Sequence, residues 1–248
     1  MMKYNKALSL YESGDYVSAY TMLNELGNYK DASTYRIKAY QGYLKETIND
    51  YSVGDYLIYG TYEQDNNTSN GKEDIEWQIL AKEENRIFLI SRYALDCQQY
   101  NSENVNVTWE TCSLRSWLNS TFYDDAFSDA EKTCIATSIV TADPNLRYST
   151  TNQGNDTEDK IFLMSIKEVS KYLSSNVNMQ SKATEYAYGI GAYRSDNGNC
   201  RWWLRTSGHN SSLTLVINSD GYCDYAGVNV DDRDGAVRPA LWINLSND

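Results

Sequence analysis

One histidine is all this chain offers, and it is His209. Any Ser/His/Asp or Cys/His nucleophile system would have to run through it. It stands in a polar loop within an acidic region, where a thiolate would find no positive charge to stabilise it. An exposed loop histidine with no catalytic duty is therefore the leading reading. Zinc-ligand spacing is missing as well: Cys97, Cys112, Cys134, Cys200 and Cys223 contain no C-x-x-C pair, and five thiols cannot all pair within one chain. Positive charge is scarce, with 22 Lys and Arg against 34 Asp and Glu, a net charge of −12. Residues 1–50 hold six basic and six acidic side chains, so the whole excess falls on the remainder, 16 basic against 28 acidic. Such a surface repels phosphate backbones, and nucleic-acid binding is not expected. No apolar run approaches the length of a membrane span, and MMKYNKALSLYESGDY has no apolar signal-peptide core. As written, the chain reads as soluble and cytoplasmic with free thiols; for a piece of a longer exported protein that reading lapses.

What the chain does have is enough apolar material for a real core, 41% of 248 residues, and 22 tyrosines. Tyrosine fills half-buried strand faces and also serves recognition surfaces as a rigid amphipathic contact. The first 49 residues carry helical periodicity. Tyr4, Ala7, Leu8 and Tyr11 fall at i, i+3, i+4, i+7, and Gly14-Asp15 breaks the pattern. A second helix is expected from Tyr16 to Leu26, ended by Gly27, and a third from an N-cap at Asp31 through Tyr35, Ala39 and Tyr43.

Near Tyr51 the period changes to two. DYLIYGTY, IEWQIL and RIFLIS read as a meander of strands. SLRSWLNSTF at 113–122 reads as an amphipathic helix, and a second helix is expected after a Ser128 cap. Residues 148–159 read as loop, KIFLMS at 160–165 as a strand, 166–173 as a helix, and 176–199 mostly as loop. Near the end, Asp220-Gly221 between two apolar runs predicts a type I′ hairpin. Trp242 and Ile243 fall on a final strand with successive side chains on opposite faces. Strands at both ends with helices between give an α+β class in which first and last strands share a sheet.

The spacing of Gly14, Tyr16 and Ala19, followed by LGNYKDA, resembles a tetratricopeptide repeat, which needs a neighbour to bury both faces. Further on, GDYLIYGTY with IEWQIL, TWETCSLRSWLNSTF, DKIFLMSIKEV, and RWWLRTSG with AVRPALWINL together resemble an uncharacterised bacterial domain-of-unknown-function family. That family is similar in its ending to the C-type-lectin-like fold of formylglycine-generating enzymes and of the variable proteins of diversity-generating retroelements. The resemblance implies a tetratricopeptide-like segment at 1–49 and a C-type-lectin-like domain at 52–247. It implies paired terminal strands and a loop-borne ligand surface, and it fixes no reaction.

From Thr206 to Ala236 there is no Lys, Glu, Gln, Met or Trp, the five residues that adenine-directed mutagenesis of Asn codons cannot reach. The pattern suits a diversified binding face. Tight strand connections built from Gly, Asn and Asp are the favoured explanation. The candidate ligand-binding residues are His209, Ser211, Leu213, Leu215, Tyr222, Asp224, Tyr225, Asp231, Asp232, Arg233 and Asp234. Tyr222, Tyr225 and Arg233 are the expected anchors, and the aspartates would select a basic partner. Asp224, Asp231, Asp232 and Asp234 also raise the thought of calcium, but their spacing matches no EF-hand loop and a solvated acidic face is preferred.

Trp202, Trp203, Arg205, Arg238, Pro239 and Trp242 are read as structural, with Arg115, Arg205 and Arg238 as ties of the core. The expected function is non-catalytic binding of a protein, peptide or glycan, with no cofactor and no metal. Two alternatives stand beside it. An enzyme related to the formylglycine-generating group would carry a reactive thiol at Cys200 or Cys223. A scaffold would dock a protein partner on helices 1–49.

Overall fold

The computed structural model describes residues 2–245; Met1 and the expected domain limit at residue 247 lie outside the described residues. Three helices open the chain, α1 (Met2–Glu12), α2 (Tyr16–Leu26) and α3 (Ala32–Ile48). They meet through the small and aromatic residues whose spacing predicted them: Tyr4, Ala7, Leu23, Ala32 and Ala39 form a core of their own. Asp31 departs from expectation. It precedes α3 but makes no side-chain cap; its carboxylate accepts instead from the Tyr4 hydroxyl, tying α1 to the start of α3.

The outer face of α3 is covered from within the chain. Tyr40, Leu44 and Ile48 enter the main core of the molecule, and the Tyr40 ring lies 6.4 Å from that of Tyr59. The helical segment is thus packed onto the strand-rich remainder of the chain.

The remaining elements are β1 (Tyr56–Tyr62), β2 (Glu73–Lys82), β3 (Arg86–Ser91), β4 (Asp96–Cys97), α4 (Ser113–Trp117), a π-helical turn (Leu118–Phe122), α5 (Tyr123–Ala126), α6 (Asp129–Cys134), β5 (Ser138–Val140), β6 (Thr157–Asp159), β7 (Ile161–Phe162), α7 (Ile166–Tyr172), α8 (Asn176–Met179), α9 (Glu185–Gly189), β8 (Trp202–Ser207), β9 (Leu213–Ile217), β10 (Cys223–Asn229), β11 (Ala236–Val237) and β12 (Ala240–Asn244). The class is mixed α+β. One five-stranded sheet runs β1-β2-β3-β12-β7 and a second runs β10-β9-β8-β11-β4, with β5 and β6 forming a separate pair. The last strand does lie in the sheet that the first one opens, inserted between β3 and β7 rather than beside β1. Neighbours pair antiparallel except β8 with β11, which pair parallel. Alternation on β12 holds as expected, with Ile243 buried and Trp242 half-exposed, stacked on Phe88 at 4.9 Å under the Arg86 guanidinium.

Trp77, Trp202, Trp203, Tyr59, Tyr100, Phe88, Phe122 and Phe162 are fully buried, each contributing roughly 1.5–3 kcal/mol through apolar burial. Their polar atoms are satisfied from within. Trp203 Nε1 donates to Gln98 O at 2.8 Å, Trp202 Nε1 to Met179 O at 3.0 Å and Trp77 Nε1 to Tyr59 O at 2.6 Å. Ser128 caps α6 with a full capping box. The π-helical turn brings Asn119 to β7, where its side chain accepts from the Lys160 and Ile161 amides and donates to Ile161 O.

Three local expectations change. Residues 157–159, read as loop, form β6 because they find β5 as a partner. The stretch 176–199 contains the short helices α8 and α9. The β9–β10 connection is not a type I′ turn, which needs positive φ at two successive residues. Of its residues only Gly221 has positive φ, +84°; Gly221 N donates to Asn218 O, and Asn218 N to Tyr222 O.

Candidate functional site

The residues expected to form one face are distributed along the β9–β10 ribbon and do not converge. His209, Ser211 and Leu213 lie at the turn that enters β9, and Tyr222 lies past its far end. Five residues of strand separate them, roughly 16 Å at the usual rise. Leu215 is fully buried, as are Thr214, Val216 and Ile217 on both faces of β9, so it offers nothing to a ligand. Leu213 is half-buried.

The acidic residues are largely engaged within the chain. Arg201 pairs with Asp234, and with Asp232 at 3.5 Å. Asp224 Oδ1 accepts from the amides of Ala226 and Gly227 at 3.0 and 3.3 Å, closing the irregularity within β10. Asp231 is half-buried, and its backbone carbonyl accepts from Gln99 Nε2 at 2.7 Å. Of the expected anchors, Tyr222 is 62% exposed and Arg233 is exposed. Tyr225 is covered by the Arg147 guanidinium at 4.5 Å, and its carbonyl accepts from the buried Asn145 amide at 2.9 Å.

At the His209 end the chain builds a concave site. Three segments meet there: 106–111, the long loop 141–156, and the turn 208–212. Val107 N donates to Ser211 O at 2.8 Å, and Thr151 Oγ1 to His209 O at 3.1 Å. Ser207 N donates to Gln153 Oε1 at 2.7 Å, and Asn145 Nδ2 to Ser207 O at 3.1 Å. These bonds fasten the loop to β8. They enclose a cleft of about 430 Å³ whose walls include Asn106, Thr108, Glu110, Asn152, Asn155 and Ser211. Asn155 holds Glu110 through its side-chain and backbone N–H groups at 3.0–3.1 Å. Those bonds lower the Glu110 pKa by favouring the ionised form.

Of the sequence-derived candidates only Ser211 lines the cleft, with His209 beside it. His209 is exposed, with Nδ1 3.2 Å from Ala226 O and Nε2 3.1 Å from Asn210 Nδ2. Asn106, Thr108, Glu110, Asn152 and Asn155 were missed. The signal available was the crowding of Asn and Thr in 101–111 and 148–155, two loops far apart in sequence that only the fold brings together.

Arg205 is a core tie, pairing with Glu168 and, at 3.5 Å, with Asp143, and donating to Leu163 O at 2.7 Å. Arg115 holds Asp159 at 2.7 Å, which also accepts from Trp109 Nε1 and Thr157 Oγ1. Pro239 is buried, and its carbonyl accepts from Ser91 N at 3.0 Å. Among the described residues, carboxylates with metal-ligand spacing occur at Glu63, Asp65 and Glu73, within 4.8 Å of one another. These already accept from the amides of Gln64 and Asn67 in the β1–β2 loop, which accounts for their grouping.

Burial pushes every thiol up: Cys97, Cys112, Cys200 and Cys223 to about 12 and Cys134 to about 11. No helix is long and apolar enough to cross a membrane among the described residues.

Among curated proteins and solved structures, none matches this chain. A family model, described as a domain of unknown function (DUF6273), matches residues 84–245, most of the chain from the start of β3 to the end of β12, and the chain belongs to that family.

Proposed function

We propose that this chain is a non-catalytic binding module whose ligand is a glycan, received in the cleft at Ser211. The observation that carries the reading is the chemistry of the cleft wall. Amides, hydroxyls and one ionised carboxylate line it, a set that exchanges hydrogen bonds with hydroxyl-rich ligands and lacks the buried aromatic anchors of a protein hot spot. Tyr148 stands at the edge with its ring 5.8 Å from His209. A thiol-based reaction finds no support, since Cys200 and Cys223 are protonated at neutral pH.

The C-type-lectin-like architecture belongs to the same proposal. It is favoured by the last strand returning to the first sheet and by a long loop carried over the second. The tetratricopeptide-like reading of α1 to α3 is favoured by their small-residue contacts. Five unpaired thiols suit a reducing compartment for the chain as it stands, the cytoplasm.

Retroelement diversification of residues 206–236 gains less. Thr206, Ser207, Thr214, Leu215, Val216, Ile217, Val230 and Ala236 are buried, and Gly227, with φ +85°, would place a Cβ 2.8 Å from Thr214 O. Structural demands explain much of that stretch. An adenine-rich near-copy of its coding segment beside a reverse transcriptase would reinstate the idea.

The test of glycan binding is a titration of the ¹⁵N-labelled chain with a panel of oligosaccharides and, separately, Lys/Arg-rich peptides. Amide shifts confined to 106–111, 151–155 and 209–212 with a saccharide, abolished by Asn155→Ala, are the expected result. Shifts from peptides alone, or only within residues 1–49, would replace it with a protein-docking role.

A further inference from the structure

Arg238 is 4% exposed, yet among the described residues no carboxylate pairs with it. Its Nε donates to Ser91 O at 3.0 Å, its guanidinium lies 5.1 Å from the centre of the Trp202 ring, and its Nη1 has no hydrogen-bond partner. Two other arginines also leave one buried nitrogen without a hydrogen bond, Arg201 Nε and Arg205 Nη2, but both have carboxylate partners. Arg205, equally deep, pairs with Asp143 and Glu168, and Arg201 with Asp232 and Asp234. A buried cation left uncompensated is strongly unfavourable. Burial presses the Arg238 pKa down, to about 10, so the group is still charged at neutral pH.

Arg238 forms part of the wall of a cavity of about 460 Å³, within the range of small-molecule sites. Lys182 and Arg92 stand on the same wall, and no Asp or Glu does. In a chain of net charge −12 this is a local inversion of sign. Arg92 is held by Glu76 at 2.8 Å, whereas Lys182 is exposed and in no ion pair among the described residues. Tyr56, Tyr93 and Tyr172 supply aromatic surface around the cations.

We propose that this cavity is a binding site for a small organic oxyanion, a carboxylate or a phosphate ester, whose charge meets Arg238 and Lys182 while its body rests against the tyrosines. Planar guanidinium groups take both kinds of oxyanion through paired N–H donors. None of these wall residues belongs to the cleft at Ser211, so the site stands independently of the glycan reading.

Calorimetric titration of the whole chain with benzoate and with phenyl phosphate, using benzamide as the uncharged control, tests it. The expected result is saturable one-to-one binding of at least one anion and none of benzamide, with amide shifts clustered at Ser181, Lys182 and Asn199. Lys182→Ala weakens it roughly tenfold, and Arg238→Gln abolishes it. Lys6→Ala, remote on α1, leaves the affinity unchanged. Binding of benzoate alone assigns a carboxylate, and of phenyl phosphate alone a phosphate ester. Failure of both anions to bind, or equal effects of Lys182→Ala and Lys6→Ala, overturns the proposal. Should Arg238→Gln fail to fold, the exposed Lys182→Ala decides.

Discussion

Asp143 shows how a buried carboxylate is kept ionised by its neighbours. Its oxygens accept from Ser165 Oγ at 2.8 Å and Thr141 Oγ1 at 3.0 Å, with Lys167 Nζ at 3.3 Å and Arg205 Nη2 at 3.5 Å. Burial alone would raise its pKa; the bonds from Ser165, Thr141 and Lys167 and the charge of Arg205 outweigh it and set the value below the ordinary one. A folded-state pKa below the unfolded one gives stability that is present above the unfolded value and lost as pH falls through the folded value. Urea midpoints are therefore expected to drop on acidification below about pH 4, and Asp143→Asn to lower neutral-pH stability while flattening that acid limb. An unchanged limb in the variant would place the effect elsewhere. Gly221 makes a second residue-scale case. With φ +84° and a Cβ that would lie 1.9 Å from Asn176 O, Gly221→Ala should cost roughly 2–3 kcal/mol in urea unfolding. A neutral result would mean the hairpin tip can lift away from α8.

Elements whose ends are fixed by local chemistry behave differently from those fixed by packing. Ser128 and Glu131 form a reciprocal cap on α6, and Ser128→Ala is expected to lose about 1 kcal/mol by thermal or denaturant unfolding. That cap was readable from the serine alone, because side chain and amide are three residues apart. Asp31 has the same position before α3, but the Tyr4 hydroxyl claims its carboxylate, a contact 27 residues distant that no local reading contains. The β9–β10 pair was legible from its two apolar runs around Asp-Gly. Its turn type was not, because the tip is shaped by α8 packing against Gly221. The π-helical turn at 118–122 likewise depends on β7, whose amides Asn119 receives.

For the molecule as a whole, α3 is the joint. Leu44 is buried in the main core together with β1 to β3 residues, so Leu44→Ala should lose roughly 2–4 kcal/mol and shift one common transition, followed by both tyrosine fluorescence and far-UV circular dichroism. Two separate transitions would show that residues 1–49 melt by themselves. The family match begins at residue 84, yet the sheet passes without a break from β2 into β3, so strands outside the match complete the fold within it. Composition and period by themselves determined the mixed α+β class, the first three helices and the longer strands, the structural standing of the tryptophans and the return of the last strand, because hydrophobic spacing and turn residues act over a few neighbours. Only the tertiary structure decided where binding chemistry collects. The cleft at Ser211 joins segments 58 and 104 residues apart, and Arg238, whose sequence setting marks it as a core tie, holds the Ser91 carbonyl but leaves its Nη1 without a hydrogen bond. Charge matching and concavity are properties of chain segments brought together from afar, and no local pattern records them.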